Sequence, residues 1–399
     1  MSLRSIDEAL ELVLAGIEPL SPERIPLVSA AGRVLAADAP SVVDLPPFDR
    51  SAMDGFAVRA ADTSPGVGLR LLGDVAAGSM PSATVDAGSA APISTGAAIP
   101  PGADAVLQSE HAVAANGTVT PDRLVPPGCH VRRRGEDVRS GDVLAAAGDR
   151  LTRPRMSALA SAGVGSVEVH RRPRLTVMVT GDELLPPGAP PEPGRIHESN
   201  GLLVSLLGAG AGAVTGDTVR IPDDRATTVE AVRAGLMDAD VLVVSGGVSV
   251  GPHDHVRPAF EACGVEEVFW RVRLKPGKPL WFGRRGRTLV FGLPGNPLSA
   301  IVGTAMFVAP ALRRLSGERD ALPSLVPGRL AVPAEASDGR TTFLTSRFTR
   351  AADGVLEATP TERQGSHMTG ALGESDGFAI VPDGPALPAG APVSLLPLP

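Results

Sequence analysis

Only two of the 37 basic side chains in this 399-residue chain are lysines, Lys275 and Lys278, and both fall in the run Leu274-Lys275-Pro276-Gly277-Lys278-Pro279. A compact, strongly hydrated ammonium on a short stiff loop suits a phosphate or oxyanion in a way that a broad arginine fork does not. The Pro-Gly centre also makes an ordinary turn flanked by solvated charges. The concentration of so scarce a residue favours the anion site. A second candidate is Ser245-Gly246-Gly247-Val248-Ser249-Val250-Gly251, whose backbone N–H groups and hydroxyls suit a phosphate-like group. Glycine loops after strands are equally common for steric reasons. The run Arg132-Arg133-Arg134 either adds attraction for an anion or is a solvated strand edge.

Carboxylates need a separate weighing. Asp54, Asp137, Glu183, Asp223, Asp224 and Asp254 stand near turns and glycine loops, where the plain role is a helix cap, a turn former or an arginine partner. Beside a bound polyanion, their chemistry would be to place a divalent cation or to shed a proton. His253 and His255 are too sparse for zinc. Neither a Walker A string nor a G-x-G-x-x-G fingerprint is present, and Gly208-Ala209-Gly210-Ala211-Gly212 is a near miss that reads as a helix stop. An ATPase or a dehydrogenase is therefore not the natural reading.

The elements that must hold these residues follow from periodicity. From 174 to about 317, strands at 175–180, 213–219, 241–245, 268–274, 280–282 and 288–291 alternate with helices. The helices fall after Asn200, from about 224 to 237, after Asp254, and as a long apolar run from about Pro297. The near-continuous apolar strand Val241-Leu242-Val243-Val244 predicts a largely parallel sheet buried on both faces. In such a sheet ligands bind beyond the carboxyl ends of the strands, where Gly181-Asp182-Glu183, Asp223-Asp224, the Ser245 loop and Gly292-Leu293-Pro294-Gly295-Asn296-Pro297 all lie.

Before this domain, Ser5 and Glu8 form a capping-box pattern opening a helix with apolar Ile6, Ala9, Leu10, Val13 and Ile17. A second short helix is expected at about 28–37, a β-rich stretch from 46 to about 150, a helix from Thr152 to about Ala162, and a strand at 164–169. After Pro323, candidate strands at 340–350, 355–359 and 377–381 predict a small barrel or sandwich. The resulting division is a linking domain (1–45 with 141–173), a β-rich domain (46–140), an α/β domain (174–322) and a C-terminal β-barrel (323–399).

Composition limits the class. With 46 Gly and 39 Pro spread throughout and a net charge of −7, the chain is neither disordered nor suited to nucleic acid, so an anionic ligand must be met by a local basic cluster. Cys129 and Cys263 are too few for a disulfide framework or a Cys-rich metal site. The acidic N-terminal residues Asp7, Glu8 and Glu11 do not read as a targeting segment, and the apolar stretch 202–214 is too short and glycine-broken to span a bilayer. A soluble, cytoplasmic protein is expected.

The motifs then converge. Pro47 to Phe56, Ser94-Thr95-Gly96-Ala97, Arg132 to Asp137, Thr180-Gly181-Asp182-Glu183, Ser245 to Gly251, Leu274 to Pro279, Gly292 to Pro297 and Gln364-Gly365-Ser366-His367 resemble the molybdopterin molybdenumtransferases of the MoeA and gephyrin E-domain type, in the expected order from end to end. The resemblance implies a multidomain elongated chain with a molybdopterin-binding-like α/β domain. It further implies insertion of molybdate into adenylylated molybdopterin with release of AMP, a need for Mg2+, and a homodimer with the site between subunits. Other proteins of molybdenum cofactor biosynthesis are implied partners, with no membrane involved.

Carried over by position, the resemblance assigns catalysis to Asp54, Asp137, Glu183, Asp223, Lys275 and Lys278, the four acids doubling as cation ligands. Thr95, Arg132, Arg133, Arg134, Ser245, Gly246, Gly247, Ser249, Asp254, Pro294 and Pro297 would bind the pterin nucleotide. Phe56 stands where the family commonly has tyrosine, and Pro252-His253 precede Asp254 in place of a more acidic pair. A molybdopterin adenylyltransferase, which shares the α/β fold as a single domain, and a non-catalytic molybdopterin-binding scaffold are the alternatives.

Overall fold

A computed structural model describes residues 3–248, 254–337 and 339–398. At its centre is a seven-stranded sheet. Val214–Thr215 and Val219–Ile221 both pair with Arg174–Thr180, followed by Val241–Ser245 and Thr288–Leu293, all parallel. Trp281–Arg285 and Glu266–Trp270 then complete it antiparallel. All five residues of Val241–Ser245 are buried, because helices cover both faces. Val241 and Val243 join Leu175, Phe282, Phe291 and the helical Val204, Ile301 and Leu312 in one core. Leu242 and Val244 join Met178, Val290 and the helical Val232, Leu236 and Phe260 in the other. Each such aliphatic or aromatic side chain contributes roughly 1.5–3 kcal/mol on leaving water.

The long apolar helix starts at Asn296, the N-cap residue of Pro297–Gly303, passes through a π-helical stretch Thr304–Val308 and continues as Ala309–Leu315. It is long and apolar enough to cross a membrane, yet 89% of its apolar window is buried inside the protein. The N-terminal helix Ile6–Leu14 carries both bonds of the expected capping box. Its other end is closed by Arg284, whose Nη2 donates to the carbonyls of Leu12, Val13 and Ala15.

Pro22–Pro26 pairs with Ser166–His170, and Ala39–Pro40 with Val143–Ala145, around a core of Leu27, Leu35, Leu151, Leu159 and Val169. Between these lies a six-stranded sheet ordered Ala105–Gln108, Gly55–Val58, Ser89–Ile93, Leu69–Leu71, Thr118–Pro121 and Ala112–Ala115. At the C-terminal end five strands close into a barrel: Thr341–Arg350 pairs with both Leu356–Pro360 and Gly377–Val381, while Val326–Leu330 and Pro392–Pro397 bridge the other side. Phe343, Phe378 and Leu396 of this barrel pack into the first α/β core. Leu274–Lys275 runs parallel to Thr341–Thr342, so the lysine loop is a strand of the barrel sheet.

Three expectations need correction. The helix expected at 28–37 is a 3-10 turn, Leu27–Ser29, followed by bridges of Val34 and Leu35 to Arg150 and Val169. Gly32, at φ +71°, takes a left-handed conformation that breaks any helix there. The strand at 213–219 is two fragments separated at Gly216, and that at 268–274 is broken at Arg271, φ +78°. The glycine run does stop its helix: Asn200–Gly210 ends within it and Gly212 follows at φ +99°, while Gly208 lets the helix close on the sheet, since a Cβ there would lie 2.2 Å from Leu175 Cδ2.

Candidate functional site

Beyond the carboxyl ends of the parallel strands lies a cleft of about 890 Å³, walled on the far side by His367 and Thr369 of the barrel domain. Of the expected residues, Glu183, Asp223, Ser245, Gly246, Gly247, Asp254, Pro294 and Pro297 line it. Ser249 lies outside the described residues.

Each lining residue is placed by the strand it follows. Strand Arg174–Thr180 ends at Gly181, φ +144°, and the Glu183 carboxylate folds back over it, 2.5 Å from where a Cβ would stand. The Glu183 carbonyl accepts from Ile196 N–H at 2.8 Å, and the Leu184 carbonyl from Arg195 and Arg220 at 3.0 and 2.8 Å. Strand Val219–Ile221 delivers two adjacent acids with different duties. Asp224 caps the helix Arg225–Asp238, accepting from Thr227 N–H at 2.8 Å. That backbone bond and the Thr227 hydroxyl hold its carboxyl below the usual range. Asp223 is thereby left to the cleft, tied to the neighbouring turn by an exchange of bonds with Asp182 at 3.4 and 3.2 Å.

Strand Val241–Ser245 runs into Gly246 and Gly247, φ +99° and +63°. A Cβ on Gly246 would meet Thr180 Oγ1 at 2.6 Å, so only glycine lets this backbone approach the neighbouring strand end. Gly246 N–H donates to Leu293 O at 2.9 Å, and Ser245 Oγ to Pro294 O at 3.3 Å. The Gly292–Pro297 turn is thus bound to the Ser245 turn. Asn296 reaches the barrel, donating to Ser366 Oγ at 3.0 Å.

The lysines stand beside this cleft rather than in its wall. Both are exposed, on a loop whose next residue, Pro279, is a lining residue. Neither makes an ion pair or side-chain hydrogen bond with any described residue, so both ammonium groups are unneutralised among the described residues. The β-rich set is elsewhere: none of the lining residues comes from 46–140. There, Asp54 Oδ1 accepts from Thr95 N–H at 2.7 Å, and Asp137 is exposed. Arg132 pairs through its backbone with Arg50 and is exposed. Arg133 and Arg134 are engaged by acids, Arg133 Nη1 with Asp49 at 2.6 Å and Arg134 with Asp44. Within this chain the cleft therefore does not bring Asp54 and Asp137 to Glu183 and Asp223, and among the described residues no group of three or more His, Cys, Asp or Glu side chains could hold a metal ion.

Cleft residues that sequence reasoning assigned no role are Glu198 and Asn200, both buried in the wall, with Asn296, His367 and Thr369. A polar Glu-Ser-Asn run at the entry to an otherwise apolar helix was the available signal.

Residues 4–163 match the family described as MoeA N-terminal region (domain I and II), 176–314 the probable molybdopterin binding domain, and 327–398 the MoeA C-terminal region (domain IV). The molybdopterin molybdenumtransferase of Haemophilus influenzae is 34% identical over 94% of each chain, and that of Synechococcus elongatus 33% identical over 98% of each. The crystal structure of a molybdopterin biosynthesis moeA protein from Pyrococcus horikosii superposes with a TM-score of 0.84 at 30% identity, covering 99% of both chains.

Proposed function

The chain belongs to the MoeA family, and from that premise we propose that it is a molybdopterin molybdenumtransferase that inserts molybdate into adenylylated molybdopterin and releases AMP. It is a transferase of molybdenum cofactor biosynthesis. The observation that carries the reading is the cleft itself: carboxylates and glycine turns meet beyond the strand ends of the domain matched as molybdopterin-binding, and the lysine loop reaches its wall through Pro279.

The roles follow from charge. Molybdate is a dianion and the adenylylated pterin carries phosphates, so Lys275 and Lys278 attract both, while the Gly246–Gly247 turn, with no side chains, lets ligand oxygens come close to the backbone. Pro294 and Pro297 shape the turn against which the ligand rests. Glu183, Asp223 and Asp254 do not converge on one point, but each puts hard oxygens on the same cleft, and one or two of them with phosphate and water could complete a Mg2+ shell, since Mg2+ is commonly held that way. Bound there, it would neutralise charge on the departing phosphate.

Asp54, Thr95, Asp137 and the arginine run complete the site from a second subunit of a homodimer. Support comes from their separation from the cleft in one chain and from an unpartnered apolar stripe, Leu202 and Leu206, exposed at 55% and 61% on one helix face. A cytoplasmic location suits two free cysteines, Cys129 and Cys263. A single-domain adenylyltransferase is not favoured, since the similarity to named molybdenumtransferases runs over nearly the whole chain. Incubation with adenylylated molybdopterin, Mg2+ and molybdate tests the proposal: AMP release must depend on molybdate, and release without it, or none at all, rejects it.

A further inference from the structure

We infer a second anion site at the opposite end of the central sheet from the cleft, a recess in which Arg172 and Arg174 hold a tetrahedral oxyanion carrying two negative charges. The inference does not depend on the function proposed above. The recess, about 390 Å³ and open to solvent, is lined by Glu23, Arg33, Arg171, Arg172, Arg174 and Val214. Arg174 and Val214 are paired at the amino ends of their parallel strands. Since Arg174–Thr180 is seven residues long, roughly 20 Å of strand separates the recess from the cleft.

In a chain of net charge −7, four guanidinium groups line this recess beside one carboxylate. Two of the four are committed. Arg33, its side chain only 10% exposed, pairs with Glu23 and donates to His170 O at 2.7 Å, which also offsets the repulsion Glu23 would exert on an anion. Arg171 grips both oxygens of Asp240 at 2.7 Å each. The other two are available: Arg172 forms no ion pair or side-chain hydrogen bond with any described residue, and Arg174 has only the exposed Asp238 at 3.7 Å, beyond hydrogen-bonding distance. Pro173 is buried while the arginines on either side of it are exposed. That is the alternation of an extended chain, in which residues two apart leave on the same side with Cα atoms about 6.5–7 Å apart. Two guanidinium forks at such a spacing can close on one tetrahedral anion. Val214 is the single apolar lining residue and no aromatic ring lines the recess, so it offers neither a stacking face for a nucleobase nor a socket for a peptide side chain.

The test is an arginine footprint of the full chain with phenylglyoxal, read by mass spectrometry with and without inorganic phosphate. Phosphate should slow modification of Arg172 and Arg174, half-maximally at about 1 mM as two charge-assisted contacts would give. Exposed Arg123 of the β-rich domain should react at an unchanged rate. Molybdate serves as a second arm, and whichever anion protects at the lower concentration identifies the oxyanion the recess takes. Lys275→Ala/Lys278→Ala, altered beside the cleft, should leave the protection of Arg172 intact. In that background, adding Arg172→Gln/Arg174→Gln should weaken phosphate binding by calorimetry about 10- to 100-fold. Absence of protection by either anion, protection that vanishes with the lysines, or a folded arginine variant that binds phosphate undiminished overturns the inference. If the arginine variant does not fold, the wild-type footprint decides.

Discussion

At the level of single residues, the unpaired state of the lysines is the most consequential observation. Ammonium groups that form no ion pair among the described residues keep their attraction for a guest. Lys275→Ala and Lys278→Ala should each weaken binding of adenylylated molybdopterin by about 10- to 100-fold, the range expected for losing one hydrogen bond to a charged group. Because both groups are exposed, the penalty should shrink as salt is raised; calorimetric titration at two ionic strengths checks both statements, and unchanged affinity in both variants removes the anion-site assignment. The arginine loop behaves differently, since Arg133 and Arg134 already have partners. Asp49 is held below its ordinary value of 3.8 by the backbone N–H of Arg134 and then by the Arg133 side chain, and Asp44 by the backbone N–H of Ser140 and then by Arg134. Carboxyls depressed on folding add stability that is complete above that ordinary value and lost as pH falls through the lower folded one. Backbone amides of 133–140 should therefore keep their native chemical shifts down to about pH 4 and change below it, whereas Asp49→Asn should change them already at neutral pH.

Among the elements, the Ser245–Gly247 turn tolerates least. Gly246→Ala would force a side chain into a left-handed conformation and against the Thr180 backbone oxygen at 2.9 Å, for a loss of about 1–3 kcal/mol. A lower urea midpoint with unchanged slope would show it. Gly208→Ala is instructive because local and tertiary effects oppose. Alanine gains up to about 1 kcal/mol of helix propensity, but the new methyl meets Leu175, itself fully enclosed, and overpacking of about 1–3 kcal/mol should win. These positions also explain what sequence reading could and could not reach. Strands such as Val241–Ser245 were legible because both faces are buried, and the capping box of the first helix because its bonds are local. The helix expected at 28–37 was not, since Val28 to Ala37 has helical composition and only Gly32's backbone and pairing with distant Val169 decide against it. Likewise Glu183, Asp223 and Asp254 could be placed at strand ends from pattern alone. The bonds that hold Asn200 in the cleft wall run to Ser245 and Gly295, far off in the chain, and no local signal encodes them.

For the molecule as a whole, the separation of Asp54 and Asp137 from the cleft makes a quantitative prediction. Asp54→Ala damages only the β-rich half of a site and Lys275→Ala only the α/β half. If sites form across a homodimer, co-expressing the two variants should restore about a quarter of wild-type sites, because half of randomly assorted dimers are mixed and each of those has one intact site of two. Activity no higher than that of either variant alone would place the whole site within one chain. A second consequence concerns the strand Leu274–Lys275, which is hydrogen-bonded to Thr341–Thr342 of the barrel while Phe343 and Phe378 sit in the α/β core. The C-terminal domain cannot then be trimmed away as an appendage. A chain cut near residue 323 would strip the lysine loop of the strand that pairs with it, and the grip on a multiply charged guest would be the first property to weaken.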